Sequence, residues 1–135
     1  MKIKNFKNTF FYLLTIGFSI GLLIFFIGCT WIGFEVKNLC QEAKIQYLGG
    51  DCTDALIGLL HDESNSFRLR NRAIWALGQL GNPKALPVLE SYYTGNIPER
   101  EPLNQVISQY ELKKAVNLAG GGTNLGAIFW RYGIE

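Results

Sequence analysis

Residues 70–89 of this 135-residue chain read RNRAIWALGQLGNPKALPVL. Apolar residues recur here at the three- and four-residue spacing of an amphipathic helix, which we predict over residues 67–80. Gly81 ends that helix, and Asn82-Pro83 begins another, because Asn is a favoured N-cap and Pro fits the first helical position. The stretch therefore predicts a helical hairpin, with small residues where the helices touch: Ala73, Ala76 and Gly78.

The hairpin pattern occurs twice. Ala55-Leu56 lies 30 residues before Ala85-Leu86, and each pair opens the first helix of a hairpin. Ala73-Ile74 and Ala115-Val116 correspond in the second helices, 42 residues apart, because the second hairpin carries the long loop 96–107. Paired helices that repeat after 30-odd residues are typical of an α-solenoid.

Capping residues mark the remaining helix ends. Thr53 or Asp54 is expected to cap the first helix of the domain. Ser108 and Glu111 form a capping-box sequence that opens a helix to Ala119. Asn124 is expected to cap a last short helix that ends at Trp130.

Three features of this region resemble the short HEAT repeat that is also found in phycobilisome-lyase-like proteins. Arg70 stands three residues before Ala73, Ala76-Leu77-Gly78 follows, and the hairpin turn is Gly81-Asn82-Pro83. The resemblance covers residues 51–95. The second hairpin departs from it, since residues 116–120 read VNLAG and lack the Ala-Leu-Gly sequence.

The resemblance implies an all-α fold and a role in scaffolding or protein–protein contact. We therefore expect a protein-interaction or scaffold module and not an enzyme. Lyase chemistry occurs in some proteins of this kind, so a lyase-like maturation factor is an alternative. Two hairpins are fewer than the three repeats that usually fold alone. The helix before the domain, a disulfide and the segment around Trp130 are expected to complete the core.

An uncharged run precedes the domain. Residues 9–34 contain no Asp, Glu, Lys, Arg or His, and about 20 helical residues cross the hydrocarbon core of a bilayer. We predict a single transmembrane helix followed by a short two-hairpin HEAT-like α-solenoid. The predicted segments are a basic N-terminus (1–8), the transmembrane helix (9–34), a juxtamembrane helix with a Gly linker (35–50) and the helical domain (51–135).

The flanking charges predict the orientation of this anchor. Lys2, Lys4 and Lys7 precede the run, so the positive-inside rule places the N-terminus in the cytoplasm and residues 35–135 outside it. The predicted location is the inner or plasma membrane, with an uncleaved signal-anchor. Gly17 and Gly21 have the GxxxG spacing that lets two such helices approach closely, which makes a homodimer a weaker expectation.

The chain has three cysteines. Phe26-Ile27-Gly28-Cys29 resembles a lipobox, so a bacterial lipoprotein acylated at Cys29 is an alternative anchor. Cys40 and Cys52 flank the Gly49-Gly50 turn and are expected either to pair in an oxidising compartment or to remain free thiols.

Neither the charge balance nor the motifs point to nucleic acid, a cofactor or a metal. After residue 34 the chain carries 10 basic and 11 acidic residues, and a near-neutral domain lacks the basic surface that nucleic acid requires. His61 is the only histidine, and no Cys/His cluster or phosphate-binding loop is found. No catalytic, cofactor-binding or metal-binding residue is therefore predicted.

Two sets of residues are candidates for partner contact. Arg68, Arg70 and Arg72 are expected to pair in part with Asp54 or Asp62 on adjacent helices. The long loop 96–107 follows an aromatic pair, and such loops often carry contacts. The predicted partner-contact residues are Tyr92, Tyr93, Arg68 and Arg72.

Overall fold

The computed structural model describes residues 2–134, with their side chains from residue 6 onward. The side chains of Lys2 and Lys4 therefore lie outside the described residues. Within them the fold is all-α, with no β-strand. The α-helices are α1 (Lys2–Gln46), α2 (Cys52–His61), α3 (Phe67–Leu80), α4 (Leu86–Tyr92) and α5 (Gln109–Ala119). Short 3₁₀ helices cover Pro83–Ala85, Gly126–Phe129 and Arg131–Gly133.

Helix α1 is continuous over 45 residues, about 68 Å at 1.5 Å per residue. The segments predicted as transmembrane and juxtamembrane are thus parts of one helix, with no break at residue 35. Nothing in the sequence ends the helix before Gly49 and Gly50, whose φ angles of 103° and 114° suit glycine.

The two halves of α1 differ in exposure. Residues 6–28 are all exposed, although most are apolar. From Cys29 onward one face is buried at helical spacing, through Val36, Leu39 and Ala43. By length and composition α1 is able to cross a membrane, and its last turns belong to the core of the domain.

The repeat domain consists of two hairpins, α2–α3 and α4–α5. Helix α3 is central, because it packs against α2 on one side and α5 on the other, while α1 packs along α2. Gly78 of α3 makes the close approach to α5 possible, since a Cβ there would lie 2.8 Å from the Cα of Ala115. The small residues predicted at helix contacts are fully buried at Ala73 and Ala76.

The helix ends show where the sequence-based caps were right and wrong. Ser66, Asn82 and Ser108 accept backbone N–H bonds as N-caps. The cap of α2 is Asp51, paired reciprocally with Asp54, whereas Thr53 is buried inside the helix. The prediction of Thr53 or Asp54 as the cap was wrong because Asp51 can reach the free backbone N–H groups of the first turn.

A disulfide joins Cys40 of α1 to Cys52, the first residue of α2, with their Cα atoms 5.4 Å apart. Both cysteines are buried. The bridge ties α1 to the first repeat across the glycine turn.

The C-terminal segment folds back onto α1. Asn124 accepts a bond from the backbone N–H of Ala127, 3.3 Å away, as expected of a cap, but 3₁₀ turns follow in place of an α-helix. The ring of Phe129 contacts Phe26 edge-on, with centroids 5.1 Å apart, and Trp130 packs on Gly33. The segment therefore contacts α1 inside its apolar run.

Candidate functional site

A groove of about 540 Å³ runs along the exposed side of α3, between that helix, the long loop and the start of α5. It combines guanidinium, amide, carboxylate and indole groups, and of these arginine and aromatic side chains are enriched at protein interfaces. Its lining residues are Arg68, Asn71, Arg72, Trp75, Leu103, Asn104 and Glu111.

Asn71 fixes the wall of this groove. Its side chain is only 5% exposed. Its Nδ2 donates to the carbonyl oxygens of Leu103 (3.0 Å) and Val106 (2.8 Å), and its Oδ1 accepts from the backbone N–H of Ser108 (2.9 Å). One amide thus satisfies three backbone groups of the loop, so the loop has a defined conformation despite its length.

Glu101 holds the other end of the loop against α5. Its carboxylate accepts hydrogen bonds from Ser108 Oγ, from Gln109 N (2.6 Å) and from Tyr110 N (3.3 Å). Burial alone would raise the pKa of Glu101, but these hydrogen bonds together lower it below its ordinary value. The predicted capping box is only half present, because the backbone N–H of Ser108 donates to Asn71 and not to Glu111.

The three arginines have different environments. Arg70 is buried, and its Nε donates to the carbonyl of Leu60 at 2.8 Å. Arg72 forms an ion pair with Glu35 of α1 at 3.5 Å. Arg68 is exposed, and it has no ion pair with any described residue.

The expected partners Asp54 and Asp62 are engaged elsewhere. Asp54 pairs with Lys84 at 2.6 Å, and that contact lowers its pKa. Asp62 accepts from Ser64 and Tyr47, which lower its pKa, and nearby Arg70 contributes less. Arg72 thus pairs with a carboxylate on an adjacent helix, as expected, but that carboxylate is Glu35 and neither of the two candidates, because sequence spacing did not reveal that α1 lies beside α3.

The structure separates the predicted partner-contact residues into different surfaces. Arg68 and Arg72 share the groove, but Tyr92 and Tyr93 do not line it. Tyr92 Oη lies 3.1 Å from His61 Nδ1, and both tyrosines pack against the core. Trp75 was not predicted as a groove residue. Its neighbours on the same helix are buried apolar residues, so Trp75 lies at the edge of the buried face.

The other residues predicted as sites are Cys29, Gly17 and Gly21. Cys29 is a free thiol, 5% exposed, beside Gly126, where an added Cβ would lie 3.2 Å from the sulfur. Gly17 and Gly21 have open space around them. Within the part of the chain that the structure describes, no three His, Cys, Asp or Glu side chains form a group able to hold a metal ion.

Comparison with known proteins supports the repeat assignment. Residues 37–101 match the family model of HEAT repeats. A stretch of 77 residues is 32% identical to deoxyhypusine hydroxylase of Rattus norvegicus and covers 52% of this chain but 26% of that protein. The chain thus spans about a quarter of the length of this curated relative. No solved structure matches the chain.

This relative corrects one expectation. Deoxyhypusine hydroxylase is an enzyme, so the sequence-based prediction that the chain is not an enzyme is contradicted, and we withdraw it. That prediction relied on the lack of a recognisable catalytic motif in the sequence. A helical repeat has no sequence motif that would reveal catalysis, so the lack of one was a poor guide. The family model that matches describes a helical repeat, an architecture that forms extended binding surfaces in many proteins.

Proposed function

We propose that the chain, a HEAT-like helical repeat protein, is a membrane-anchored module that binds a segment of another protein in the groove along α3. Helix α1 holds it in the plasma or inner membrane, and residues 35–135 face away from the cytoplasm. The observation that carries the proposal is the groove itself, where Arg68 and Trp75 of α3 line one side and the loop fixed by Asn71 lines the other.

The charges of the groove indicate the chemistry of the partner. Arg68 has no carboxylate partner among the described residues, and Arg72 shares its charge with half-buried Glu35. The one acidic lining residue, Glu111, is paired with Lys114 at 2.6 Å. Arginine binds carboxylates in a forked geometry, and an indole face accepts an apolar or aromatic side chain. We therefore expect the partner segment to be acidic, with an apolar residue that packs on Trp75.

Two observations support the anchor and its orientation. The exposed part of α1 is apolar, and its hydroxyls at Thr15, Ser19 and Thr30 donate to carbonyls four residues earlier, as a lipid environment requires. The Cys40–Cys52 disulfide belongs to an oxidising compartment, which agrees with a domain outside the cytoplasm. Lipidation at Cys29 would require the C-terminal segment to leave the sulfur that it now covers.

Photocrosslinking in the membrane tests the groove. Full-length protein with Asn104 replaced by p-benzoylphenylalanine should form an adduct with a partner protein, whose crosslinked peptide is rich in Asp or Glu. Arg68→Glu in the same background should reduce the adduct at least tenfold, because it reverses the charge that attracts the segment. Arg100→Glu is the matched control, since Arg100 is exposed and lies outside the groove. An adduct unaffected by Arg68→Glu would contradict the proposal.

Thiol labelling tests the orientation separately. Because Cys40 and Cys52 are buried, the label is directed to a new thiol at an exposed position. In intact cells, a membrane-impermeant maleimide should label Glu99→Cys, and the extracted chain should retain its N-terminus. Labelling of Glu99→Cys only after lysis would place the domain in the cytoplasm. A chain cleaved before Cys29 and carrying added lipid mass would replace the signal-anchor with a lipoprotein anchor.

A further inference from the structure

We infer that residues 125–133 form a second contact with the membrane, inserted at the depth of the acyl chains beside α1. The inference rests on the proposed membrane span of α1 and adds that the repeat domain itself enters the lipid. The segment exposes large apolar and aromatic side chains that the domain does not cover: Leu125 (65% exposed), Ile128 (56%), Phe129 (58%) and Tyr132 (92%).

The contacts with α1 set the depth of the segment. Phe129 packs edge-on against Phe25 and Phe26, with ring centroids 6.2 and 5.1 Å away. A hydrocarbon core takes about 20 helical residues, and any span of that length placed within residues 9–34 includes residues 15–28. Tilt lengthens the span and widens this shared stretch. Phe25 and Phe26 therefore lie among acyl chains for every such placement, and Phe129 lies there with them.

The composition and packing of the segment fit that depth. Residues 115–130 contain no charged side chain, so no charge before Arg131 opposes entry of the segment into lipid. Arg131, the first charge after it, is directed to the repeat, where Nε and Nη2 donate to the carbonyl of Gln79 at 3.1 and 2.9 Å. Exposed Tyr132 and Trp31 have the amphipathic rings that are enriched at membrane interfaces.

Lipid, and not a second copy of the chain, is the occupant that these observations favour. The exposed side chains of the segment continue the exposed surface of α1, where Ile27 and Trp31 are 58% and 69% exposed. A surface at this depth is in contact with acyl chains as soon as α1 spans the bilayer. No further association is needed to remove its apolar side chains from water.

Photolabelling from the lipid tests the inference on the full chain. The protein is reconstituted in phosphatidylcholine vesicles that contain phosphatidylcholine with a diazirine on the acyl chain, and adducts are mapped by mass spectrometry. We expect adducts both within residues 9–34 and within residues 125–132. Ile128→Lys should lower the labelling of residues 125–132 severalfold and leave α1 labelling unchanged. Leu48→Lys is the matched control, since Leu48 is 88% exposed at the far end of α1.

The outcomes separate the inference from the proposal beneath it. Adducts on α1 without adducts on 125–132 would overturn the second contact and leave the membrane span intact. The same pattern combined with a dimer that Ile128→Lys dissolves would assign the surface to a second copy, which also overturns it. Absence of adducts on α1 would overturn the span and the inference together.

Discussion

Asn71 is a polar side chain on a buried part of α3, and its position explains why the groove was hard to predict. In the sequence it stands among Arg68, Arg70 and Arg72, which suggests a solvated start of a helix. Its burial depends on carbonyls of Leu103 and Val106, more than 30 residues away. Such a contact leaves no periodic signal, because it arises from the path of one irregular loop.

Replacement of this amide gives the first prediction. Asn71→Ala removes three hydrogen bonds and leaves two carbonyls and the N–H of Ser108 without protein partners. We expect a loss of about 2–4 kcal/mol in the free energy of unfolding. We also expect faster hydrogen exchange across residues 96–108. Denaturant unfolding followed by circular dichroism, together with exchange mass spectrometry, measures both effects.

The control for this prediction is Asn96→Ala in the same loop, because Asn96 is exposed and its side chain has no hydrogen bond with any described residue. Its stability should stay within about 0.5 kcal/mol of the wild type. Equal stability of Asn71→Ala and Asn96→Ala would show that the loop does not depend on the buried amide.

Glu101 predicts a dependence on pH. Its folded-state pKa lies below the ordinary value of 4.5, so the carboxylate stabilises the fold fully above that value. The contribution is lost as the pH falls through the lowered folded-state pKa. Glu101→Gln should therefore cost about 1–2 kcal/mol at pH 7 and progressively less as the pH falls below 4.5. Unfolding measured between pH 7 and pH 3 tests this, with exposed Glu99→Gln as the control. A cost for Glu101→Gln that is equal at both pH values would contradict the role of its charge.

At the scale of the elements, the helical periodicity predicted the hairpins but not their neighbours. Helix α3 was predicted over the residues where it is found, 67–80, because amphipathic spacing and end signals agree there. The continuity of α1 was not predicted, since a change in composition at residue 35 resembles a boundary while the backbone has no reason to stop. Local sequence signals are enough to predict the helices. The contacts between helices depend on residues far apart in the chain, so local signals do not predict them.

The approach of α3 to α5 gives the prediction at this scale. Gly78→Ala gains about 1 kcal/mol of helix propensity. However, the new methyl group would meet the backbone of Ala115, which cannot rotate away. We expect a net loss of about 1–2 kcal/mol in the free energy of unfolding, because the two helices must separate. Gly28→Ala, in open space on α1, has the same gain in helix propensity without the clash, so it should not lower the unfolding midpoint. A stabilised Gly78→Ala variant would mean that the helices are less closely packed than described.

At the scale of the whole molecule, two hairpins form a stable core only with help from outside the repeats. The sequence led to this expectation through the small number of repeats, and the structure supplies Val36, Leu39 and Ala43 of α1 and partly buried Trp130. The groove depends on the same assembly, since Glu35 of α1 pairs with Arg72 of α3. Helix α1 and the repeats are therefore one folding unit, so a change at their junction should affect the whole domain.

The disulfide at that junction gives the last prediction. Cys40 and Cys52 are separated by 12 residues, and closing a loop of this size restricts the unfolded chain by about 3 kcal/mol. Reduction of the full-length protein should lower its free energy of unfolding by about that amount. The double variant Cys40→Ala/Cys52→Ala should not respond to reductant, while Cys29→Ala should respond as the wild type does, because Cys29 is a free thiol. Thermal unfolding in detergent with and without a phosphine measures the difference. If the unfolding midpoint of the wild type were the same with and without reductant, the link between α1 and α2 would add no stability. Packing alone would then join α1 to the repeats.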